Sequence, residues 1–276
     1  MKVYTLGNGF VSAHFPYENL TKNFRVENDS KFLDKMIEEH KPDVLINCIG
    51  KTGSPNVDWC ESNKEITAST NVALPILLAE ACKKKDVQLV HIGSGCIFFG
   101  PSPHLDLSGK DMGWREDDFA NPKSFYSKTK YAADLALSNF SNVAILRIRM
   151  PLSPKNLPRN LINKLTKYTE VIDIPNSVTF IDDLVKCVDW TIKNTKTGVY
   201  HVTNPEPLSA ARVMKEYQKY DANHKFNIIS ESRLDELTIA KRSNCILSTQ
   251  KLNAEGFYLP SSEEALFNCM QQYIRS

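Results

Sequence analysis

Two residues one helical turn apart, Tyr126 and Lys130, form a candidate acid–base pair. They lie in the stretch Ser124-Phe125-Tyr126-Ser127-Lys128-Thr129-Lys130, where Ser124 starts a helical pattern. Residues four positions apart share one face of a helix. An ammonium close to a phenol favours the phenolate and brings this weak acid nearer to working pH. Because the same spacing also occurs on many amphipathic helices, its meaning depends on the rest of the chain.

A third candidate group, Ser94, follows an apolar run. The run Val87-Gln88-Leu89-Val90-His91-Ile92 leads into Gly93-Ser94-Gly95-Cys96 and predicts a buried strand that ends near the serine. Open α/β sheets place their ligands at the carboxyl ends of strands. Ser94 could therefore donate a hydrogen bond to the same substrate oxygen as Tyr126.

A glycine turn at the N-terminus is the candidate cofactor site. Val3 to Leu6 predicts a first strand, Gly7-Asn8-Gly9-Phe10-Val11-Ser12 a turn, and the residues after it the start of a helix. Such a turn lets backbone amides approach a pyrophosphate at a helix N-terminus. Ser12 stands where a third glycine would complete the fingerprint, so a plain strand-to-helix turn is the alternative.

The choice of cofactor depends on Arg25. Asn23 to Val26 predicts a short second strand, and an acidic residue near its end would bind the adenosine ribose. Arg25 stands there instead, and a cation favours a 2′-phosphate, hence NADPH. NADH, or an exposed arginine without a ligand, is the alternative.

The order of elements predicts an α/β fold with a doubly wound, Rossmann-type parallel sheet. Strands alternate with helices up to residue 150, and glycines and prolines mark the loops between them. Ser30 is the predicted cap of the first helix, and a later helix carries Asn71 before a kink or restart at Pro75. The predicted elements up to residue 150 are strands at Val44–Asn47 and Asn142–Ile148, and helices at Lys31–His40, Asp58–Lys85 and Ser124–Phe140.

From Met150-Pro151 onward shorter elements alternate, which predicts a smaller lobe. We divide the chain into residues 1–150, an NADPH-binding domain with Tyr126 and Lys130, and residues 151–276, mainly a substrate-binding lobe. The predicted elements are helices at Asn160–Tyr168, Ile181–Asn194 and Ser209–Tyr220, strands at Val171–Ile174 and Gly198–Thr203, and a last helix from Glu263.

Composition excludes several classes of function. Of 276 residues, 42% are hydrophobic and 24% charged, and the interspersed charges sum to +2, so neither nucleic acid nor a membrane is an expected partner. The first residues lack the apolar core of a signal peptide, which favours a cytoplasmic protein. Seven scattered cysteines without a C-x-x-C pair and six dispersed histidines predict reduced thiols and no metal site.

These residues together resemble a known family. The glycine turn, Ser94 and Tyr126-Ser127-Lys128-Thr129-Lys130 are similar to the extended short-chain dehydrogenase/reductases, in the dTDP-4-dehydrorhamnose reductase branch. Plant-type nucleotide-rhamnose synthases, which are UDP-4-keto-6-deoxy-glucose 3,5-epimerases and 4-keto-reductases, are a closer match. The similar segments, which reach from the loop before Asp58 to Arg242-Ser243-Asn244, include Pro55-Asn56-Val57-Asp58-Trp59-Cys60-Glu61, Gly95-Cys96-Ile97-Phe98, Arg147-Ile148-Arg149-Met150-Pro151, Pro158-Arg159-Asn160 and Asp173-Ile174-Pro175-Asn176-Ser177.

The resemblance implies NADPH-dependent reduction of a 4-keto sugar nucleotide. Tyr126 would protonate the C4 oxygen, Ser94 would share the oxyanion, and Lys130 would hold the nicotinamide ribose and lower the pKa of the tyrosine. Asn71 would be a helix-kink residue that supports Lys130 through water. The residues expected against the cofactor are Gly7, Asn8, Gly9, Phe10, Val11, Arg25, Cys48, Gly50, Lys51, Asn71, Tyr126, Lys130 and Met150.

Two further residues are implied for epimerisation. Related dehydratases carry an Asp-Glu pair after the hydroxyl residue, whereas Gly95-Cys96 offers none, which disfavours water elimination. Inversion at C3 and C5 needs a base on one face and an acid on the other. A thiol and a desolvated lysine qualify, and the resemblance points to Cys96 and Lys164 without saying which is the base. An inert core cysteine and a solvated lysine are the alternatives.

The expected substrate is UDP-4-keto-6-deoxy-D-glucose, or its dTDP analogue. Arg159 and Arg242 are candidates for its phosphates, and Lys51, Asn56 and Asn160 for its sugar or base. A separate 4,6-dehydratase would supply it, and a homodimer through the Tyr126 helix is expected. The alternatives are a 4-keto-reductase that lacks epimerase activity and a non-catalytic, NADP-binding regulatory subunit.

Overall fold

A computed structural model of the chain describes residues 1–22 and 24–275, which form three sheets flanked by helices. In chain order the strands are β1 (Val3–Leu6), β2 (Glu18–Asn19), β3 (Val44–Asn47), β4 (Gln88–Ser94), β5 (Val143–Ile148), β6 (Pro151–Leu152), β7 (Glu170–Ile172), β8 (Asn176–Phe180), β9 (Gly198–His201), β10 (Asn204–Leu208) and β11 (Asn227–Ile229). The α-helices are α1 (Ser30–His40), α2 (Asp58–Ser62), α3 (Lys64–Ala68), α4 (Leu74–Lys84), α5 (Phe125–Leu137), α6 (Leu161–Leu165), α7 (Ile181–Lys193), α8 (Ala210–Tyr217), α9 (Glu231–Leu237), α10 (Gln250–Ala254) and α11 (Ser262–Tyr273).

The largest sheet has six parallel strands in the order β2-β1-β3-β4-β5-β9. The chain leaves β1 toward β2 and then returns to the other side of β1 for β3. This reversal opens a crevice at the carboxyl ends of β1 and β3, where open α/β sheets bind their ligands. The doubly wound parallel sheet is therefore confirmed.

Strands β3 and β5 are buried along their whole length, as a parallel sheet covered on both faces requires. One face packs on α1, α4 and α5 through residues such as Leu33, Leu78 and Leu137. The opposite face packs on α7 through Leu184 and Val188. These two layers fix the carboxyl edge of the sheet, which carries the candidate site.

Three predictions near the N-terminus were wrong. The second strand is Glu18–Asn19 rather than Asn23–Val26; Phe24 to Val26 lie outside any strand, and Asn23 lies outside the described residues. Instead of a full helix after the glycine turn, only the 3-10 turn Ser12–His14 forms. Pro16 explains this, because it holds the preceding residue extended and cannot continue a helical hydrogen-bond ladder. Asp29, and not Ser30, caps α1 by accepting from the Phe32 amide.

The helical stretch predicted from Asp58 to Lys85 is broken into α2, α3, a π-helical turn at Ser69–Ala73 and α4. Asn71 lies inside this turn, and Pro75 lies in the first turn of α4, where a missing amide proton costs no hydrogen bond. The predicted kink and restart are therefore confirmed.

A second lobe packs beside the carboxyl edge. Its three-stranded sheet has the order β10-β8-β6 and shares a core with α6, α8 and α11. The six-stranded sheet, however, takes β9 and its covering helix α7 from beyond residue 150. A cut at residue 150 would split that sheet, and the assignment of substrate binding to residues 151–276 stays a prediction.

Residues 99–123 form the long irregular connection that the sequence predicts. It is anchored where Trp114 bridges to Leu247 and stacks on Phe98 with ring centroids 4.8 Å apart. Over the described part of the chain, no helix combines the length and apolar character needed to span a bilayer.

Candidate active site

Ser94 is the last residue of β4, and Tyr126 lies in the first turn of α5. The Ser94 hydroxyl oxygen accepts a hydrogen bond from the Cys96 amide at 3.2 Å and thereby caps the turn that follows β4. Its proton can then be donated to Tyr126, with which it forms a side-chain hydrogen bond. The predicted serine and tyrosine are thus brought together.

The pKa of Tyr126 differs from the expectation. Burial raises it above the ordinary tyrosine value, and the hydrogen bond from Ser94 and the positive charge of Arg149 act in the opposite direction. Arg149 was not among the predicted groups, and the lowering of the Tyr126 pKa by Lys130 stays a prediction. Tyr126 is therefore held protonated, ready to donate its proton.

Lys130 is buried and turned toward β4. Its ammonium lies 3.2 Å from His91 Nε2 and 3.3 Å from the Ile92 carbonyl oxygen. Burial lowers the pKa of Lys130, and the nearby Asp134 carboxylate partly compensates. Burial and the lysine charge also lower the pKa of His91 well below its ordinary value, so His91 is neutral.

Cys96 belongs to the same site. Its sulfur is near enough to Tyr126 and Lys130 to act on the pKa of both groups. Arg149, the first residue after β5, donates from Nη1 to Cys96 Sγ at 2.8 Å. The thiol of Cys96 is therefore in direct contact with a buried cation.

A cavity of about 1470 Å³ opens at the reversal point between β1 and β3. The predicted ligand-contacting residues in its wall are Gly7, Asn8, Gly9, Phe10, Arg25, Cys48, Gly50, Lys51 and Arg159. They come from both lobes, and Arg159 reaches across to donate to Thr52 Oγ1 at 3.0 Å. The cavity is large enough for a dinucleotide and has cations at separate places in its wall.

The glycine turn keeps the backbone close to this cavity. Gly7 has φ +115°, and a Cβ atom there would lie 2.9 Å from the Cys48 carbonyl carbon, so glycine is required. At Gly9 a Cβ atom would meet no protein atom within 4 Å and would enter open space. Ser12, at the third glycine position, closes the turn, because its hydroxyl accepts from the Gly9 amide and donates to the Gly9 carbonyl, each at 3.0 Å.

Comparison with known proteins agrees with this geometry. The family model described as RmlD substrate binding domain matches residues 12–275. The chain belongs to this family. A bifunctional dTDP-4-dehydrorhamnose 3,5-epimerase/dTDP-4-dehydrorhamnose reductase of Arabidopsis thaliana is 40% identical over 233 residues, which are 83% of this chain and 77% of that protein.

Solved structures show the same fold. The UDP-rhamnose synthase from Acanthamoeba polyphaga mimivirus superposes with a TM-score of 0.89 at 26% identity, covering 98% of this chain and 99% of that one. A dTDP-4-dehydrorhamnose reductase from Bacillus anthracis, in complex with NADP, has a TM-score of 0.80 at 21% identity and covers both chains fully. The chain spans only 35% of a trifunctional Arabidopsis relative that also names a UDP-glucose 4,6-dehydratase.

Two asparagines of this RmlD-family chain form hydrogen bonds within the protein. Asn160 is fully buried, and its amide bonds to Ser153, Lys155 and Ile162 at the start of α6, so its contact with substrate stays a prediction. Asn71 is likewise buried and ties the Lys51 backbone to Thr129. Asn71 therefore orders the loop beside the cavity.

Arg242 and Asn56 are partly engaged within the protein. Arg242 forms a bidentate pair with Asp58 at 2.8 and 3.0 Å, so a phosphate would have to replace a carboxylate already in place. Asn56 Oδ1 accepts from the Asp58 amide at 2.8 Å. The contact of either side chain with substrate stays a prediction.

The remaining predicted residues are Lys164, Met150 and Val11. Lys164 is partly buried beside Arg159, and both burial and that neighbouring charge lower its pKa. Met150 and Val11 pack against the cores of the second lobe and the first, respectively. Their predicted contact with the cofactor stays a prediction.

Sequence reasoning missed Arg149 and His91. Arg149 lies in the segment Arg147-Ile148-Arg149-Met150-Pro151 that carries the resemblance, yet nothing in the segment distinguishes it from Arg147. His91 lies three residues before Ser94, and the alternation of a buried strand marks it only as inward-facing. Both roles depend on partners that are distant in sequence.

Proposed function

We propose that this chain converts UDP-4-keto-6-deoxy-D-glucose to UDP-L-rhamnose with NADPH, acting as both 3,5-epimerase and 4-keto-reductase. The observation that carries the proposal is the position of Cys96, whose amide donates at 3.2 Å to the hydroxyl of Ser94, the partner of Tyr126. Reduction alone needs the phenol and the lysine. A thiol beside them adds a group that can exchange protons with carbon.

The described residues fit a bound NADPH. The glycine turn lines the cavity, and Gly9 leaves room for the close approach of a pyrophosphate. Arg25 lies in the wall of the same cavity as Asn8, where it would bind a 2′-phosphate. When bound, the nicotinamide supplies the hydride to C4. The related reductase in complex with NADP supports this choice.

Tyr126 supplies the proton for reduction. Its high pKa keeps it protonated until negative charge develops on the C4 oxygen, which then takes the proton. Ser94 donates to the same oxygen, since its own oxygen already accepts from the Cys96 amide. Lys130 keeps a positive charge close to the developing alkoxide.

Epimerisation uses the same ketone. Removal of a proton from C3 or C5 gives an enolate whose oxygen is stabilised by Tyr126 and Ser94. Cys96 and Lys164 act on opposite faces of the sugar, one as the base and one as the acid. The relatives named as a bifunctional epimerase/reductase and as a UDP-rhamnose synthase support the combination of the two activities.

The substrate's diphosphate lies against Arg159, whose guanidinium is exposed in the cavity wall, with Lys51 nearby. A separate 4,6-dehydratase supplies the keto sugar, because Gly95-Cys96 provides no acid–base pair for water elimination. The trifunctional relative, which joins these activities in one longer chain, supports this order of steps.

Proton NMR in heavy water tests the proposal in one reaction. The purified chain is given UDP-4-keto-6-deoxy-D-glucose and NADPH, and we expect UDP-L-rhamnose that carries deuterium at C3 and C5. An unlabelled, unepimerised 6-deoxy sugar would reduce the function to that of a 4-keto-reductase. No oxidation of NADPH with either the UDP or the dTDP substrate would favour a non-catalytic subunit.

The variant Cys96→Ala separates the two activities. It should abolish deuterium uptake at C3 and C5 while reduction of an already epimerised 4-keto sugar continues, because Tyr126, Ser94 and Lys130 are unchanged. Unchanged uptake would remove Cys96 from the mechanism. Tyr126→Phe is the matched control for reduction, where we expect a loss of about 10²- to 10⁴-fold.

A further inference from the structure

Arg149 is a buried cation without a carboxylate partner among the described residues. Its side chain is only 2% exposed, and it donates from Nη1 to Cys96 Sγ at 2.8 Å and to Ser243 Oγ at 3.2 Å. Nη2 donates to the Ser243 carbonyl oxygen at 2.7 Å and to Asn176 Oδ1. The oxygen atoms that accept these hydrogen bonds all belong to uncharged groups.

Arg147, two residues earlier in the chain, shows how a buried arginine is usually stabilised. It is equally buried, but its Nε donates to the Asp134 carboxylate at 2.8 Å. A buried guanidinium without an anion is strongly unfavourable, so buried charges are paired. For Arg149 the acidic groups that act on it are two thiols and a phenol, those of Cys245, Cys96 and Tyr126.

Of these three groups, Cys96 is the one positioned to be the anion. Arg149 donates directly to its sulfur, and Cys96 is partly exposed on the site. Cys245 is buried, its sulfur lies 3.5 Å from the Gly95 carbonyl oxygen as a donor would, and burial raises its pKa. Burial also keeps Tyr126 protonated, and its proton is needed for reduction.

Resting on the proposed function, we infer that Arg149 is a positioning residue for epimerisation, which pairs with Cys96 as a thiolate and so makes Cys96 the base. The thiolate takes the proton from C3 or C5, and the C–H electron pair forms the enolate with C4. Lys164 returns a proton to the opposite face as the enolate reverts to the ketone. Exchange with water then removes the proton from sulfur and restores that of Lys164 before the second inversion.

Alkylation of Cys96 tests the pairing without any substrate. Iodoacetamide labelling of the full chain is followed between pH 5.5 and 9, with the Cys96 peptide quantified by mass spectrometry. In the wild type we expect the rate at pH 6 to be close to its plateau. In Arg149→Met we expect a rate at pH 6 to 7 that is about tenfold lower, with the plateau moved to high pH, as for an ordinary thiol. Arg149→Lys keeps the charge and should retain most of the wild-type profile.

Deuterium uptake completes the test. Arg149→Met should lose deuterium uptake at C3 and C5 by about tenfold, in step with the thiolate. A circular dichroism spectrum that matches that of the wild type shows that the variant is folded. If the variant does not fold, the wild-type labelling profile still decides, because a profile without a plateau near pH 6 overturns the inference.

Different results would overturn the role of Arg149 and the epimerase function. If the wild type takes up deuterium but the labelling rate of Cys96 is the same in wild type and Arg149→Met, the role of Arg149 alone would be overturned. Labelling that depends on Arg149, without uptake at C3 or C5, would overturn the epimerase function and support the ion pair.

Discussion

Lys130 and Lys164 are both desolvated, but their neighbours act in opposite directions. Burial lowers the pKa of each lysine. At Lys130 the Asp134 carboxylate raises it again, whereas at Lys164 the Arg159 guanidinium lowers it further. Lys130 is thus suited to remain a cation, and Lys164 to give up a proton.

This difference predicts how the pH profile of epimerisation responds to Arg159. As the proposed acid, Lys164 must be protonated, so uptake of deuterium falls as the pH rises through its pKa. Removing the charge in Arg159→Gln raises that pKa and should move the alkaline limb upward by a few tenths of a pH unit at low ionic strength. The profile is measured at saturating substrate, because Arg159 also lies in the cavity wall.

Arg159→Lys is the matched control, since it keeps the positive charge and should leave the limb in place. A limb that stays fixed in Arg159→Gln as well would show that Lys164 is not the group that titrates. High salt should reduce the shift, because Arg159 is exposed.

Which residues could be predicted depends on whether their role is local. Tyr126, Lys130 and Ser94 are marked by spacing and by position after a strand, and the structure brings them to one edge. Arg149 could not be found, because its role depends on Cys96, 53 positions away. Asn160 belongs to a segment that carries the resemblance, but the hydrogen bonds of its buried amide could not be predicted from that segment, and its contact with a ligand stays a prediction.

At the scale of elements, the turn after β1 contains two glycines with different duties. Gly7 is required by the protein itself, through its positive φ and its contact with Cys48. Gly9 is required only if a ligand approaches it, because a Cβ atom there would meet no protein atom within 4 Å. Substitution of Gly7 should therefore affect stability, and substitution of Gly9 should affect ligand binding.

Gly7→Ala should destabilise the ligand-free protein by about 2–3 kcal/mol, the sum of left-handed strain and a backbone clash. Gly9→Ala should change the free energy of unfolding by less than about 0.5 kcal/mol. It should still weaken NADPH binding about tenfold, because the added methyl occupies space needed by the pyrophosphate. Urea denaturation and fluorescence titration of NADPH measure the two effects. Normal NADPH affinity in Gly9→Ala would place the cofactor elsewhere.

Strands β5 and β9 are linked by a chain of buried polar side chains. Arg147 on β5 donates to His201 Nε2 on β9 at 3.1 Å, and His201 Nδ1 then donates to the Ser248 carbonyl oxygen at 3.2 Å. This arrangement requires a neutral imidazole. Burial and the Arg147 charge accordingly lower the pKa of His201 well below its ordinary value of 6.5.

The lowered pKa makes stability depend on pH. In the unfolded chain His201 binds a proton below about pH 6.5, whereas in the folded protein it does not, so its stabilisation is present above that pH and is lost as the pH falls. Between about pH 7.5 and 5.5 it should cost about 1.4 kcal/mol. Denaturation of wild type and His201→Gln at both pH values measures the difference. A gap between the two proteins that stays constant with pH would contradict a neutral His201.

The elements themselves were predictable where local sequence decides them. Strand β3 has the predicted bounds. A short run of mainly apolar residues is typical of a parallel strand that is buried on both faces. Strand β2 has only two residues and is defined by pairing with Tyr4 and Thr5 on β1. Its position depends on tertiary contact, which no local pattern reveals.

At the scale of the whole molecule, helix α5 leaves an apolar side chain exposed. Leu135 on α5 is 52% exposed. The same helix α5 carries Tyr126 on its inner side. A second copy of the chain that packs against this side of α5 would bury the leucine and stabilise the helix that carries Tyr126. The exposed leucine therefore supports the expected homodimer.

The dimer is tested by one charge placed on that face. Leu135→Lys should give the mass of a monomer by light scattering at micromolar concentration, because a buried unpaired ammonium is unfavourable at an apolar interface. Leu237→Lys is the matched control, since Leu237 on α9 is 49% exposed and α9 is not among the helices that pack on α5 in the described part of the chain, and this variant should keep the wild-type mass. A monomeric wild type, or equal masses for both variants, would remove α5 as the interface. Because Tyr126 lies on the inner side of the same helix, dissociation should also lower the rate of reduction, whereas Leu237→Lys should leave it unchanged.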